Sequence, residues 1–169
     1  DKEVMNINIP ILGICYGLQL LVHHFGGTVD STGEGEYGFA NIQTIKKNDI
    51  TKNMSSSSKV WMSHMDQVTM VPNDWEVVAY SSNNIVAAIA SNDNLRFATQ
   101  FHPEVSHTEE GDILLNNFLF HISDCDKNWT AGNFVNEEIT SLKNKIGKDR
   151  ILVGVSGGVA STVVASLIN

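Results

Sequence analysis

Gly13-Ile14-Cys15-Tyr16-Gly17-Leu18-Gln19 follows an apolar, β-branched run from Ile7 to Ile14 and leads into Leu18–Phe25, which reads as a helix closed by Gly26-Gly27. A buried strand turning sharply into a helix is the repeating unit of α/β proteins. Here the turn carries a cysteine between two glycines. A residue on so tight a turn takes strained backbone angles, and small neighbours on either side avoid steric clash. The turn sets the sulfur at the helix N-terminus. There the dipole and free N–H groups favour thiolate over thiol, against a reference pKa of about 8.5. The N–H of Tyr16 is placed to donate to a tetrahedral oxyanion. This is the nucleophile-elbow arrangement with Cys in place of Ser. A small buried core residue is the alternative reading, because free Cys is commonly buried.

Outward from the turn, five glycines from Gly26 to Gly38 mark loops and turns. Phe39–Ile45 is a strand, and the polar stretch Lys46–Lys59, with its run Ser55-Ser56-Ser57-Ser58, reads as a mobile surface loop. Val60–Met70, Trp75–Ser81, Val86–Ala90 and Leu95–Phe101 read as further strands. Gly111–Ser123 is an amphipathic helix with Ile113, Leu114, Phe118 and Ile122 near one face. Composition then shifts. Residues 126–133 are polar, Phe134–Lys145 is a charged helix, and Arg150–Val155 is a new apolar strand running through Gly157-Gly158 into a helix, Ser161–Ile168. Residues 150–169 look like the opening β-loop-α unit of a second α/β domain, joined to residues 1–125 by a linker and helix over 126–149.

Among 169 residues, 42% are apolar and 18% charged, the balance of a globular protein. A net charge of -8 argues against nucleic acid as a partner, although a backbone loop can hold a nucleotide without positive charge. No apolar run reaches transmembrane length, so no membrane partner is expected. Two cysteines in unlike contexts, Cys15 and Cys125, favour a reducing compartment over a disulfide framework, and a cytoplasmic location follows. The chain opens without Met on Asp1-Lys2-Glu3, which is no signal-peptide n-region, and meets a strand almost at once. It reads as a piece of a longer protein.

A Cys nucleophile needs a proton acceptor, and His is the usual one near neutral pH. Phe101-His102-Pro103-Glu104 offers it at the end of a strand. A carboxylate beside the His would set its tautomer and support the imidazolium. On extended backbone residues i and i+2 face one side, so His102 and Glu104 can point at one site. A turn His and a surface Glu are the alternative. His23, His24 and His121 read as packing or surface residues, and no set of histidines has metal-ligand spacing.

Gly13-Ile14-Cys15-Tyr16-Gly17-Leu18-Gln19 together with Gln100-Phe101-His102-Pro103-Glu104 resembles the class I (triad) glutamine amidotransferases over residues 7 to about 125. The resemblance implies an open, mostly parallel sheet with helices on both faces. It also implies Cys15 as nucleophile toward the glutamine side chain, with His102 and Glu104 as its partners and no cofactor for that step. Tyr16, Gly17, Gln19, Ser63 and His64 would hold glutamine or its oxyanion. Glu36-Tyr37-Gly38, Val60-Trp61-Met62-Ser63-His64 with Asp66 and Val68, Val105-Ser106-His107-Thr108 with Gly111, and Asp124-Cys125 followed by Trp129 resemble the GMP synthetase branch of that family. Val155-Ser156-Gly157-Gly158-Val159-Ala160-Ser161 resembles the pyrophosphate (PP) loop of ATP pyrophosphatases. Such a loop cradles phosphates on backbone N–H groups at a helix N-terminus, and Ser156, Gly157, Gly158, Val159 and Ser161 would bind ATP.

That order of parts implies glutamine-dependent amination of XMP to GMP through an adenylated intermediate, with glutamine, ATP and XMP as substrates and Mg2+ at the ATP site. It leaves open a homodimer formed through a C-terminal region beyond residue 169. The sequence departs from the branch at three positions: Met65 where Gly is usual, Gly35 where Arg is frequent, and Ala160 where the PP-loop carries Asp. Alanine cannot ligate a metal, so impaired ATP turnover is expected. Alternative readings are a triad glutaminase serving a different acceptor, a variant disabled by Ala160, and a regulatory module that binds without turnover.

Overall fold

The computed structural model describes residues 2–168, which divide between Cys125 and Asp126 into two units. In the first unit a short helix α1 (Lys2–Met5) precedes strand β1 (Ile11–Ile14) and helix α2 (Tyr16–His24). Strands β2 (Thr28–Thr44), β3 (Ser57–Met70), β4 (Trp75–Ser81), β5 (Val86–Ser91) and β6 (Arg96–Thr99) follow, and then helix α3 (Gly111–Asn116). The six strands make one sheet in the order β1-β6-β5-β4-β2-β3.

The chain is α/β, as expected, but its sheet is mixed. Strands β1 and β6 are parallel, with Ile11 opposite Arg96 and Ile14 opposite Thr99. The pairs β5/β6, β4/β5, β2/β4 and β2/β3 are antiparallel. The connections explain the difference from a mostly parallel sheet. The turns at Asn84 and Asn94, both with positive φ (63° and 57°), are too short to cross over a sheet and can join only antiparallel neighbours.

Neighbouring residues of the central strands feed opposite faces. Ala88, Ala90, Phe97 and Phe101 belong to a core with Ile42, Val60, Met62 and Leu114, against which the α3 segment packs. Ile89 and Ala98 belong to a second core with Leu18, Leu21 and Val22 of α2. Helices therefore cover both faces, and β1 and β6 run between the two cores.

Three expectations about segments of the first unit change. The first strand shortens from Ile7–Ile14 to β1, because the carbonyls before it find a different partner. The buried Arg96 guanidinium donates to the carbonyls of Met5 (2.9 and 3.1 Å), Ile7 (2.6 Å) and Ile9 (3.1 Å). The glycine-rich stretch after Gly27 is not loop but the first half of β2, paired with β3 across an irregularity between Ser31 and Glu36. Gly33, with φ 81°, lies inside that irregularity and takes the backbone turn that an L side chain resists.

Lys46–Lys59, expected to be mobile, is tied down. Asn48 caps a 3-10 turn over Asp49–Thr51, and Ile50 and Met54 are buried in the core. The Asn117 amide, itself buried, donates to the carbonyls of Ile50 (3.0 Å) and Lys52 (2.7 Å). Asn117 begins a π-helical turn, Asn117–Ile122, that continues α3.

In the second unit, helix α4 (Ala131–Ile146) is capped by the Thr130 hydroxyl, which accepts from the N–H of Asn133 at 3.1 Å. Helix α5 (Val159–Ile168) follows. Arg150–Val155, expected as a strand, has no strand geometry, and Leu152 is fully exposed. Among the described residues of this unit no other strand offers it backbone partners, and an unpaired strand has nothing to hold it extended.

Asn117→Ala would leave the buried Ile50 carbonyl and the partly buried Lys52 carbonyl without this donor. It is expected to lower stability in urea denaturation by about 2–4 kcal/mol, whereas a loss under about 0.5 kcal/mol would show that the 46–59 segment holds without that amide.

Candidate active site

Cys15 is the N-cap of α2, with φ 53° and ψ -105°. A non-glycine residue in that region is strained, and such strain persists only where the surroundings over-determine it. The Cys15 N–H donates to the Thr99 carbonyl of β6 at 2.8 Å, and its own carbonyl accepts from Leu18 (3.0 Å) and Gln19 (3.4 Å) as the helix begins. Gly13 lets the helix sit down on the strand. A Cβ there would lie 2.7 Å from the backbone of Gly17 and from Leu21 Cδ1. Gly17 carries no such constraint, since a Cβ at that position would meet nothing.

His102 and Glu104 lie in the loop that follows β6. The His102 N–H donates to the Trp61 carbonyl at 3.0 Å, and its carbonyl accepts from the Thr108 hydroxyl at 2.6 Å. The same hydroxyl accepts from the Trp61 N–H at 3.1 Å, so one buried threonine locks the histidine backbone to β3. The imidazole Nδ1 faces Glu104 Oε1 at 2.7 Å, with the two side chains 25% and 47% exposed. A carboxylate can only accept, which puts the hydrogen on Nδ1 and leaves Nε2 free to take a proton. Pro103, between them, is pressed by α3: a Cβ on Gly111 would lie 2.0 Å from the Pro103 carbonyl oxygen.

Two groups face the sulfur. Cys15 Sγ lies 3.6 Å from the Ser63 carbonyl and 3.7 Å from Gln100 Nε2. Gln100 is fully buried, and its Oε1 accepts from Gln19 Nε2 at 3.3 Å, which also donates to the Asp66 carbonyl at 3.1 Å.

Of the residues expected to hold glutamine, Tyr16 and Gly17 open α2 beside the sulfur, and helix geometry leaves their N–H groups unpaired within the helix. Ser63 is at the sulfur through its carbonyl. Gln19 spends its amide hydrogens inside the protein. His64 is only 5% exposed, with Nδ1 3.0 Å from the Asp66 carbonyl and Nε2 3.3 Å from Glu36 Oε2. The His64 imidazole is therefore a part of the scaffold rather than a group presented to solvent. Gly35 and Met65, two of the sequence departures, touch: a Cβ on Gly35 would lie 2.4 Å from the His64 carbonyl and 3.0 Å from Met65 Cα. The two changes meet at one point, where the loss of a side chain at 35 accommodates the main chain that carries Met65.

Sequence reading assigned no role to Gln100. The local signal for it was its place two residues before His102 in the stretch Gln100-Phe101-His102-Pro103-Glu104, just past the end of β6. The importance of Thr108 and Glu36 depends on β3 meeting distant segments and carries no local signal.

In the second unit, the loop before α5 holds Ser156 Oγ 3.1 Å from Ser161 Oγ, and Gly158 N–H donates to Ser156 Oγ at 3.4 Å. Gly157 has φ 83°, and Val159 and Ala160 are exposed. Among the described residues no group of three or more His, Cys, Asp or Glu is placed to hold a metal ion, and no helix is long and apolar enough to cross a membrane.

Comparison with known proteins adds three findings. The model of the family "Glutamine amidotransferase class-I" matches residues 1–122. Proteins named GMP synthase [glutamine-hydrolyzing] match nearly the whole chain: 44% identity over 168 residues for Campylobacter hominis, and 41% over 168 residues for Nostoc punctiforme. In each case 99% of this chain is aligned with 33% and 31%, respectively, of the relative, so the chain spans about a third of their length. Among solved structures, a Thermoplasma acidophilum protein described as one subunit of a GMP synthase superposes with a TM-score of 0.66 at 34% identity, covering 69% of this chain and 59% of that one. A glutamine amidotransferase from Thermotoga maritima shares the fold, with a TM-score of 0.56 at 20% identity over 99% of this chain and 64% of its own.

Gly13→Ala and Gly111→Ala each force a methyl group into backbone, and each is expected to cost about 1–3 kcal/mol in urea denaturation. Gly17→Ala, in open space at the start of a helix, is expected to be neutral or stabilising by up to about 1 kcal/mol. A ranking in which Gly17→Ala is the most harmful of the three would contradict the packing described.

Proposed function

Because the chain belongs to the class I glutamine amidotransferase family, we propose that it is the glutamine-hydrolysing part of an enzyme that makes GMP. The observation that carries this reading is the His102–Glu104 pair, closed at 2.7 Å, in a protein whose Cys15 is held strained at a helix N-terminus. In the proposed reaction His102 Nε2 takes the thiol proton and the sulfur attacks the side-chain amide carbon of glutamine. The N–H groups of Tyr16 and Gly17 are the donors nearest to the oxyanion that forms. His102 returns the proton to the amide nitrogen, which leaves as ammonia. Water, activated by the same imidazole, then splits the thioester to glutamate and restores the thiol. Glu104 supports the imidazolium at each step without taking its proton.

The finer reading concerns the fate of the ammonia. Identity of 41–45% to GMP synthases extends along nearly the whole chain, the second unit included, and supports amination of XMP: ATP adenylates the 2-oxygen of XMP, and ammonia displaces AMP. The Ser156–Ser161 loop suits the phosphates of ATP, since it offers two hydroxyls and the N–H groups opening α5. For Mg2+ it lacks a charged ligand: with Ala160 in place of a carboxylate, the side chains of the 156–161 loop offer only the Ser156 and Ser161 hydroxyl oxygens to a hard divalent ion.

The test uses the full-length protein with magnesium-ATP, XMP and either glutamine or ammonium. Cys15→Ala and His102→Ala are expected to lower glutamine-dependent GMP formation by about 10³-fold or more while sparing ammonium-dependent GMP formation. The substitution Ala160→Asp is expected to raise pyrophosphate release. Glutamine hydrolysis that survives Cys15→Ala would end the nucleophile assignment. Ammonium that yields no XMP-dependent AMP, even in the Ala160→Asp variant, would point to a different acceptor.

A further inference from the structure

We propose that Gln100 is a further member of the Cys15 site, a buried hydrogen-bond donor that holds the sulfur and supports its thiolate, with Gln19 as the positioning residue behind it. The proposal rests on the reading of Cys15 as nucleophile.

Which end of the Gln100 amide faces the sulfur follows from a chain of partners anchored on the backbone. The Asp66 carbonyl can only accept, so Gln19 must turn its NH2 toward it at 3.1 Å. That same NH2 lies 3.3 Å from the Gln100 amide, whose facing atom must then be oxygen. Gln100 is left presenting its own NH2 to Sγ at 3.7 Å. A flip of either amide would set two acceptors or two donors face to face.

The anchor is itself held. His64 Nδ1 meets the Asp66 carbonyl and its Nε2 meets Glu36 Oε2, while Glu36 Oε1 accepts from Ser81 Oγ (2.7 Å) and Asn83 Nδ2 (2.8 Å). Glu36 and His64 are buried, so a polar chain runs from β2 and β4 to the sulfur.

The opposite side of the sulfur shows what this donor does. The Ser63 carbonyl, at 3.6 Å, accepts the thiol hydrogen. Once that hydrogen moves to His102, the carbonyl dipole opposes the negative sulfur, and Gln100 remains as the side-chain donor facing it. A primary amide at a position of 0% exposure is costly unless every partner is present, and a similar-sized apolar side chain would pack there at less cost. The position is better explained by the sulfur than by the core.

The test follows Cys15 alkylation by iodoacetamide in the full-length protein carrying Cys125→Ser, at pH 7 and at pH 10, together with kcat and KM for glutamine hydrolysis. Gln100→Leu is expected to slow alkylation at pH 7 about tenfold and to leave it unchanged at pH 10, where the thiolate forms without help. The kcat should fall by a similar factor, with KM within about twofold. Gln100→Glu, which turns an anion toward the sulfur, should be slower still at pH 7. Should Gln100→Leu unfold, Gln19→Leu on the partly exposed face of α2 gives the same readout with a smaller loss. Wild-type alkylation at both pH values in the folded variants would overturn the proposal, and so would an equal loss at both, which marks a purely structural role. A wild-type protein that hydrolyses no glutamine would instead sink the nucleophile reading, and the alkylation comparison would still decide the Gln100 contact.

Discussion

One hydrogen bond, from the Cys15 N–H to the Thr99 carbonyl at 2.8 Å, joins the end of β1 to the end of β6, and the geometry of the Cys15 turn in the first unit depends on it. The backbone of Cys15 can stay at φ 53° because it is clamped from both sides. The parallel β1–β6 pair holds what precedes it, and the first turn of α2 takes its carbonyl. A strained residue relaxes if either clamp loosens. The clamps depend in turn on two cores on opposite faces of the sheet, one under α2 and one under α3. The site is thus a place where two strand ends and one helix start are pressed together by apolar cores on the two faces of the sheet.

The polar part of the site is attached differently. His102 is placed by backbone bonds to Trp61 and by the Thr108 hydroxyl, and Pro103 is placed by the absence of a side chain at Gly111. Strand β3 therefore serves both halves: Trp61 carries the histidine, and Ser63 and Asp66, a few residues on, carry the sulfur and the Gln19–Gln100 pair. A displacement of β3 would move the cysteine and histidine surroundings together. That coupling accounts for the burial of His64 and Glu36. They tie this stretch of β3 to β2 and β4, where a loose strand would be cheaper for folding and useless for geometry.

Legibility differed by element for physical reasons. Strand β4 and the helix beginning at the Cys15 turn stood out because their periodicity is local. The first half of β2 did not, because glycines that usually announce a turn here absorb an irregularity inside a paired strand. The 46–59 segment looked mobile because it is polar and serine-rich, while part of what holds it, the Asn117 amide and the Glu110 carboxylate, lies far along the chain. The Arg150–Val155 run failed in the opposite sense. It has the composition of a strand, but a strand exists only with a neighbour, and the described residues of its unit supply none.

The sequence by itself determined which chemical groups the site has to work with. A cysteine between glycines at a strand-to-helix turn, and a histidine two residues before a glutamate, are local patterns whose meaning lies in bond geometry and proton affinity. Both are visible without knowing what surrounds them. Tertiary structure alone decided the support: which carbonyl faces the sulfur, that the His64 imidazole is buried against Glu36, and that Gln100 turns its N–H and not its oxygen toward Cys15. Those facts depend on which groups from distant strands finish as neighbours around a partly buried sulfur. There each donor must find an acceptor, and the order of residues along the chain does not specify which.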